Sequence, residues 1–512
     1  MAARLSKSRF QTGLQCPKAL WLSSHARELA DPLSETQQHI FDTGTSVGEL
    51  ARQRFGEGVL VAEHHTQSAS ALETTRKLLE DPPHVLFEAA LQHGGVFVRP
   101  DALVNVGEQL WDLYEVKSGT KVKPENITDV AVQTWVLEGA GLKINRAYLM
   151  HLDNAYVYDG HAYDLQRLFV TEDVTAAARA YIAQVPAHVH EMLAMLECGE
   201  PPDVRIGKHC DKPYTCAFYG YCHAFLPSNP VTRLPRISEA LLDSLVANGI
   251  LAIEDIPLDY PQLTSAQRTV CELVRSGEPR IVGDVGASLA ALAYPIHFLD
   301  FETFMSALPL YAGTHAWQMV PFEWSDHVLY GNGDLEHREF LYEGGADPRP
   351  EFVGSLIDAL GDEGSVVVYS AFENSRLNEL ASALPQHAAA LAAIQARIFD
   401  LLPVVRSHVR HPECFGSASI KVVLPALVDD LSYKGLDIAD GAMASILYLK
   451  AVTGQLTAAE CRTVYSDLRE YCGTDTLAMV RLFKVLRRAP TDQTACADRP
   501  MGPRSAQDEG PL

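Results

Sequence analysis

Apolar positions change their spacing along the first 150 residues. VLFEAALQ, GVFVRPDALVNV and QLWDLYEVKSG are apolar-rich runs separated by HisGlyGly and GlyGlu. Turn residues between such runs predict an antiparallel meander. In ENITDVAVQTWVLEGAG the apolar residues Val130, Val132, Val136 and Leu137 form a helical stripe that glycines end. NRAYLMHL reads as a further strand. The predicted order is helix, three strands, helix, strand.

Residues 231–294 read as short helices, ISEALLDSLVANGI and LTSAQRTVCELVRSG, on either side of the Pro-containing IPLDYPQ. Beyond them YPIHFLDFET, HAWQMVPFEWSDHVLY and HREFLYE read as three strands. A helix (PEFVGSLIDALG), an apolar strand (SVVVYSAF) and further helices follow, ending in SDLREYCGTDTLAMVRLFKVLRR. This is an α/β multidomain pattern. The expected units are 1–230, a helical connector over 231–294, a second α/β unit over 295–488, and a disordered tail over 489–512, rich in Pro, Gly and small polar residues.

Composition narrows the class. With 47% hydrophobic and 21% charged residues, wholesale disorder and collagen-like or coiled-coil designs are excluded. No uncharged apolar run approaches the ~18 residues of a membrane span, and MAARLSKSRFQTGLQCPKALW lacks an apolar signal core. A cytoplasmic protein with no membrane partner is expected. The net charge of −23 argues against a general polyanion binder.

Charge placed on strands is the first chemical signal. Glu115 and Lys117 are two apart and so share one strand face, downstream of Asp101 in RPDALV. Carboxylates on adjacent strands can hold Mg²⁺ or Mn²⁺, which take oxygen ligands and keep several waters. Glu49, Glu88 and Gln133 accompany them. Together these residues resemble the PD-(D/E)XK nuclease superfamily, RecB-like branch, over roughly residues 5–225. The resemblance implies a restriction-endonuclease-like mixed sheet with Asp101, Glu115 and Lys117 as catalytic core. It also implies Gln133 on the following helix, and Glu49 as the acid of the first helix. Asp101 and Glu115 would bind the metal.

Of ten cysteines, Cys210, Cys216 and Cys222 are equally spaced in GKHCDKPYTCAFYGYC, and Cys16 lies far upstream. One Cys before the nuclease core and three after it resembles the iron–sulfur type of RecB-like nuclease. The implied cofactor is a [4Fe–4S] cluster clamping the ends of the domain; Zn²⁺ is the alternative for four thiolates.

In the second unit, FLDFET puts Asp300 and Glu302 on one strand face, and Tyr471 and Asp475 are four apart on one helix face. Glu373 stands where a strand runs into a helix. These residues resemble the DnaQ-like, RNase H-fold 3′→5′ exonucleases of the DEDD type. The resemblance implies an RNase H-like mixed sheet with flanking helices, Asp300, Glu302, Glu373 and Asp475 as ligands of two metals, and Tyr471 acting on the attacking water. Glu373 stands where that family usually has Asp. Asp400 is an alternative supporting acid, and Lys421 reads equally as a phosphate contact or a helix start.

The joined architecture resembles an uncharacterised bacterial family. A metal-dependent nuclease is expected, acting on DNA at the first centre and on DNA or RNA 3′ ends at the second. The alternative is a nucleic-acid-binding protein with one or both centres inactive.

Overall fold

The computed structural model describes residues 5–64, 66–428, 431–433 and 435–489. The tail expected from Pro490 lies outside them. The fold is a mixed α/β arrangement of several sheets and many helices.

The first large sheet has six strands side by side in chain order: β1 (Val59–Leu60), β2 (Val85–Phe87), β3 (Ala102–Gly107), β4 (Leu110–Lys117), β5 (Lys143–Leu152) and β6 (Phe169–Asp173). β3 and β4 form an antiparallel hairpin, while β4 and β5 run parallel. Three helices matter to this sheet: α1 (Lys7–Gln15), α2 (Glu35–Arg52) and α3 (Pro124–Gly139). Trp111 and Leu113 of β4 pack with Val130, Ala131, Val136 and Leu137 of α3. Strand alternation therefore turns Glu115 and Lys117 toward the same helix.

Two of the expected strands are each broken in two. VLFEAALQ divides at Glu88, whose φ of 54° is left-handed, and GVFVRPDALVNV divides around Pro100, which has no N–H for a ladder. The inner pieces, Leu91–His93 and Val96–Val98, leave the six-stranded sheet and pair with each other, and Val96–Val98 also pairs with Leu5–Ser6, making a separate three-stranded sheet.

The second large sheet comprises β7 (Ile296–Met305), β8 (Met319–Leu329), β9 (Leu335–Leu341), β10 (Ser365–Val368) and β11 (Ile398–Asp400), in the spatial order β9-β8-β7-β10-β11. β7, β8 and β9 form an antiparallel meander, and β10 and β11 add in parallel. Four helices bear on its centre: α4 (Phe372–Ala383), α5 (Ile420–Leu427), α6 (Gly441–Val452) and α7 (Ala458–Arg488). Thr457 and Glu460 close a capping box at the start of α7. Its buried stripe runs Val464, Leu468, Tyr471, Cys472, Asp475, Met479, Leu482 and Phe483. Phe298 of central β7 packs on this helix, whereas Leu299 and Phe301 face the opposite core. Asp300 and Glu302 thereby point to α7.

The expected connector forms helices Glu239–Ala247 and Ser265–Ser276 around their own apolar core. The two large sheets also meet directly. Ala307 and Ala316, in the loop after β7, share a buried cluster with Val47 and Ala51 of α2 and Met150 and Leu152 of β5. Trp317 Nε1 donates to the carbonyl of Ser118 at 2.7 Å. No helix among the described residues is long and apolar enough to cross a membrane.

Candidate active sites

The first acidic centre forms where β3, β4, α1 and α3 converge. Glu115 is buried at 2% exposure, and its oxygens are fully engaged. Oε1 accepts from Lys117 Nζ and from Lys7 Nζ, each at 2.7 Å, and Oε2 accepts from Gln133 Nε2 at 2.7 Å. Asp129, one helical turn before Gln133, accepts from Lys117 at 2.5 Å. Asp101 Oδ2 takes the backbone N–H of Val116 at 2.6 Å, which locks it to β4. Burial, then the charge of Glu115, pushes Asp101 up to about 8. Burial also disfavours an ionised Glu115, but Lys117 and Lys7 outweigh it and hold that carboxyl well below its ordinary value.

The structure thus brings Asp101, Glu115, Lys117 and Gln133 together. Glu88 borders them: its N–H reaches the carbonyl of Asp101 at 3.4 Å, while its carboxylate pairs with Arg52 at 3.1 Å and Arg99 at 3.5 Å. Glu49 does not join. Val47 and Ala51 are the buried positions of α2, and Glu49 is exposed on another side of it. Lys7 and Asp129 were missed by sequence reasoning. Asp129 carried a signal, an acid inside the apolar stripe of DVAVQTWV; Lys7 in the polar SKS carried none.

The second centre lines a cleft of about 230 Å³ with Asp300, Glu302, Glu373, Lys421, Tyr471 and Asp475. β7 supplies the first pair, the first turn of α4 supplies Glu373, and α7 supplies Tyr471 and Asp475. Lys421 Nζ donates to the Tyr471 hydroxyl, one helical turn before Asp475. Tyr433 donates to Asp475 at 2.5 Å. Glu373 lies near enough to Asp300 for its charge to raise that carboxyl, and Glu373 Oε2 is buried with no partner. Burial, then Asp475, drives Asp300 well above its ordinary value and brings Glu302 to about 8. Burial raises Glu373 to about 7. Asp300, Glu302 and Cys472 each offer a possible ligand atom within 4.8 Å of the other two.

Behind the cleft, Thr476 is fully buried and bonds Ser325 at 2.8 Å and His327 at 2.7 Å, fixing α7 to β8 one residue beyond Asp475. Asp400 does not line the cleft; it caps the following turn, accepting from Leu402 N–H at 2.9 Å, and its charge adds to the rise of Glu373. Tyr433 and Cys472 escaped sequence reasoning because isolated Tyr and Cys are ordinary core residues.

Cys16, Cys210, Cys216 and Cys222 converge on a small cavity that Lys18, Arg205 and His209 also line. Burial pushes Cys216 up to about 11 and raises Cys210 and Cys222 as well. Stable thiolates there need positive charge. No three of these sulfurs lie within 4.8 Å of one another.

Residues 297–419 match a family model, the domain of unknown function DUF2779. The match includes Asp300, Glu302 and Glu373 and stops before Tyr471. Uncharacterized protein UU173 of Ureaplasma parvum serovar 3 (strain ATCC 700970) is 26% identical over 240 residues, 42% of this chain and 35% of that protein. The chain therefore spans about a third of its relative's length. Among solved structures, one titled "Crystal structure of SSO0001" is similar at 12% identity with a TM-score of 0.22, over 44% of this chain and 87% of that one. An alkaline exonuclease (LHK-Exo) from Laribacter hongkongensis is similar at 18% identity with a TM-score of 0.19, over 38% and 88%. Both scores are too low to carry a fold assignment.

Proposed function

We propose that this chain is a divalent-metal-dependent hydrolase of nucleic-acid phosphodiester bonds with two centres, RecB-like around Glu115 and DEDD-like around Asp300. One observation carries the reading: four carboxylates with a single lysine line one cleft, and one of their oxygens is buried and unpartnered. Carboxylates crowded out of water repel unless a cation lies among them. The strand order β9-β8-β7-β10-β11, with its antiparallel meander and two parallel additions, supports the RNase H-like assignment of the second sheet.

Asp300, Glu302, Glu373 and Asp475 would hold the ions of the second centre, and Asp101 and Glu115 the single ion of the first. Bound Mg²⁺ or Mn²⁺ would supply Lewis-acid polarisation of the phosphate and a more acidic water. The chain's own groups do the positioning. Lys421 fixes the Tyr471 hydroxyl, and Tyr433 aims Asp475. At the first centre Gln133 and Lys117 hold Glu115 in one rotamer.

The cysteine set fits a cofactor too. Four thiolates around one cavity can hold either a [4Fe–4S] cluster or tetrahedral Zn²⁺, and the absence of a Cys-x-x-Cys pair favours the cluster. An anaerobic preparation should be brown, with absorption near about 400 nm. A colourless protein with stoichiometric zinc overturns that assignment.

Activity is tested on end-labelled DNA and RNA with Mg²⁺ or Mn²⁺. Lys117→Ala and Asp300→Ala should each abolish one component of cleavage, by about 100-fold or more. If neither substitution changes the products or their rate, the hydrolase reading fails.

A further inference from the structure

The first acidic centre holds a second lysine from a distant part of the chain. Lys7 Nζ lies 2.7 Å from Glu115 Oε1, the same oxygen that Lys117 uses, and 3.7 Å from Asp129 Oδ2. Its side chain is 27% exposed, so the ammonium sits at the edge of the centre and not beneath it.

The N-terminal helix delivers this charge rigidly. Leu5–Ser6 pairs with Val96–Val98, and Ser6 Oγ caps α1 by accepting from Arg9 N–H at 3.2 Å. Midway, Gln11 Nε2 donates to Thr128 Oγ1 of α3 at 3.0 Å. At the far end Gln15 Nε2 donates to the carbonyls of His209 and Tyr214, each at 2.7 Å, and Cys16 terminates the helix inside the cysteine set. Lys7 is thus held at one end of a helix whose other end is anchored in the 209–216 segment.

Charge counting shows what the placement accomplishes. Asp101, Glu115 and Asp129 carry three negative charges when ionised, and Lys117 and Lys7 carry two positive ones. Glu88 is balanced separately by Arg52 and Arg99. A divalent ion entering this set leaves it at +1, matched to a phosphodiester. Without Lys7 the loaded centre would be neutral and would not attract that anion.

Resting on the reading of this centre as a metal-dependent hydrolase, we propose that Lys7 is a positioning residue that makes the metal-loaded centre net positive toward the phosphodiester. Its cost is weaker metal binding, because the ammonium competes for the Glu115 oxygen.

Lys7→Met keeps the length and removes the charge. It is compared with the parent in an Asp300→Asn/Glu302→Gln background, which silences the second centre, by Mn²⁺ titration and by steady-state cleavage of an end-labelled oligonucleotide. Mn²⁺ should bind roughly three- to tenfold tighter, while KM for the oligonucleotide rises about tenfold or more. Lys7→Arg should bring both within about threefold of the parent. An unchanged KM overturns the proposal, and so does loss of Mn²⁺ binding in Lys7→Met, which would make Lys7 a folding residue. If the parent cleaves nothing, the hydrolase reading is what fails; the Mn²⁺ titration then decides Lys7 alone, tighter binding in Lys7→Met supporting its place against Glu115 and unchanged binding overturning it.

Discussion

Glu323 faces Glu302 across the β7–β8 ladder, is wholly buried, and finds no donor for either carboxylate oxygen. Burial, then Glu302, pushes it well above its ordinary value. Removing a buried polar group that has no partner relieves a desolvation cost. Glu323→Met should therefore stabilise the metal-free protein by about 1–3 kcal/mol in urea unfolding; a loss of stability would mean that Glu323 is satisfied in the folded state. At this scale the sequence was partly readable. Asp-x-Glu and Glu-x-Lys announce themselves because the strand period of two puts both charges on one face. Glu323 and Lys7 did not, since their importance comes from neighbours distant in the chain. Glu49 shows the converse: an acid on the first long helix is attractive in sequence, yet the burial of Val47 and Ala51 leaves it on the solvent side.

At the scale of elements, the hydrophobic pattern located the strands of the second sheet except short β11, and α7 from Ser466 onward but not its first two turns. The breaks at Glu88 and Pro100 were illegible as such, because one left-handed residue inside an apolar run leaves the run's periodicity intact. Gly364 is a similar hidden determinant. Its φ is 78°, and a Cβ there would come within 1.8 Å of the Pro295 carbonyl. That carbonyl accepts the N–H of Ser365 where β10 begins beside β7. Gly364→Ala should cost about 3 kcal/mol or more, seen as a lowered thermal midpoint with impaired cleavage at the second centre. An unshifted midpoint would show that this turn can relax freely.

The whole molecule carries −23, with acidic excess in both halves. Six of the candidate metal ligands account for part of it; the remainder still opposes backbone binding. Affinity for an oligonucleotide in chelator should thus be weak and should fall less than about fifty-fold between 50 and 200 mM salt, the response of about three phosphate contacts or fewer. A decline of a thousandfold would reveal an extended basic track that the net charge conceals. The contact between the halves bears on what can be exchanged as well as on shape. Trp317 rests on Ser118, the residue after Lys117, and the loop that bears it follows directly from the strand of Asp300 and Glu302. A chimaera that replaced either half would therefore have to bring a matching loop and a matching seat for it.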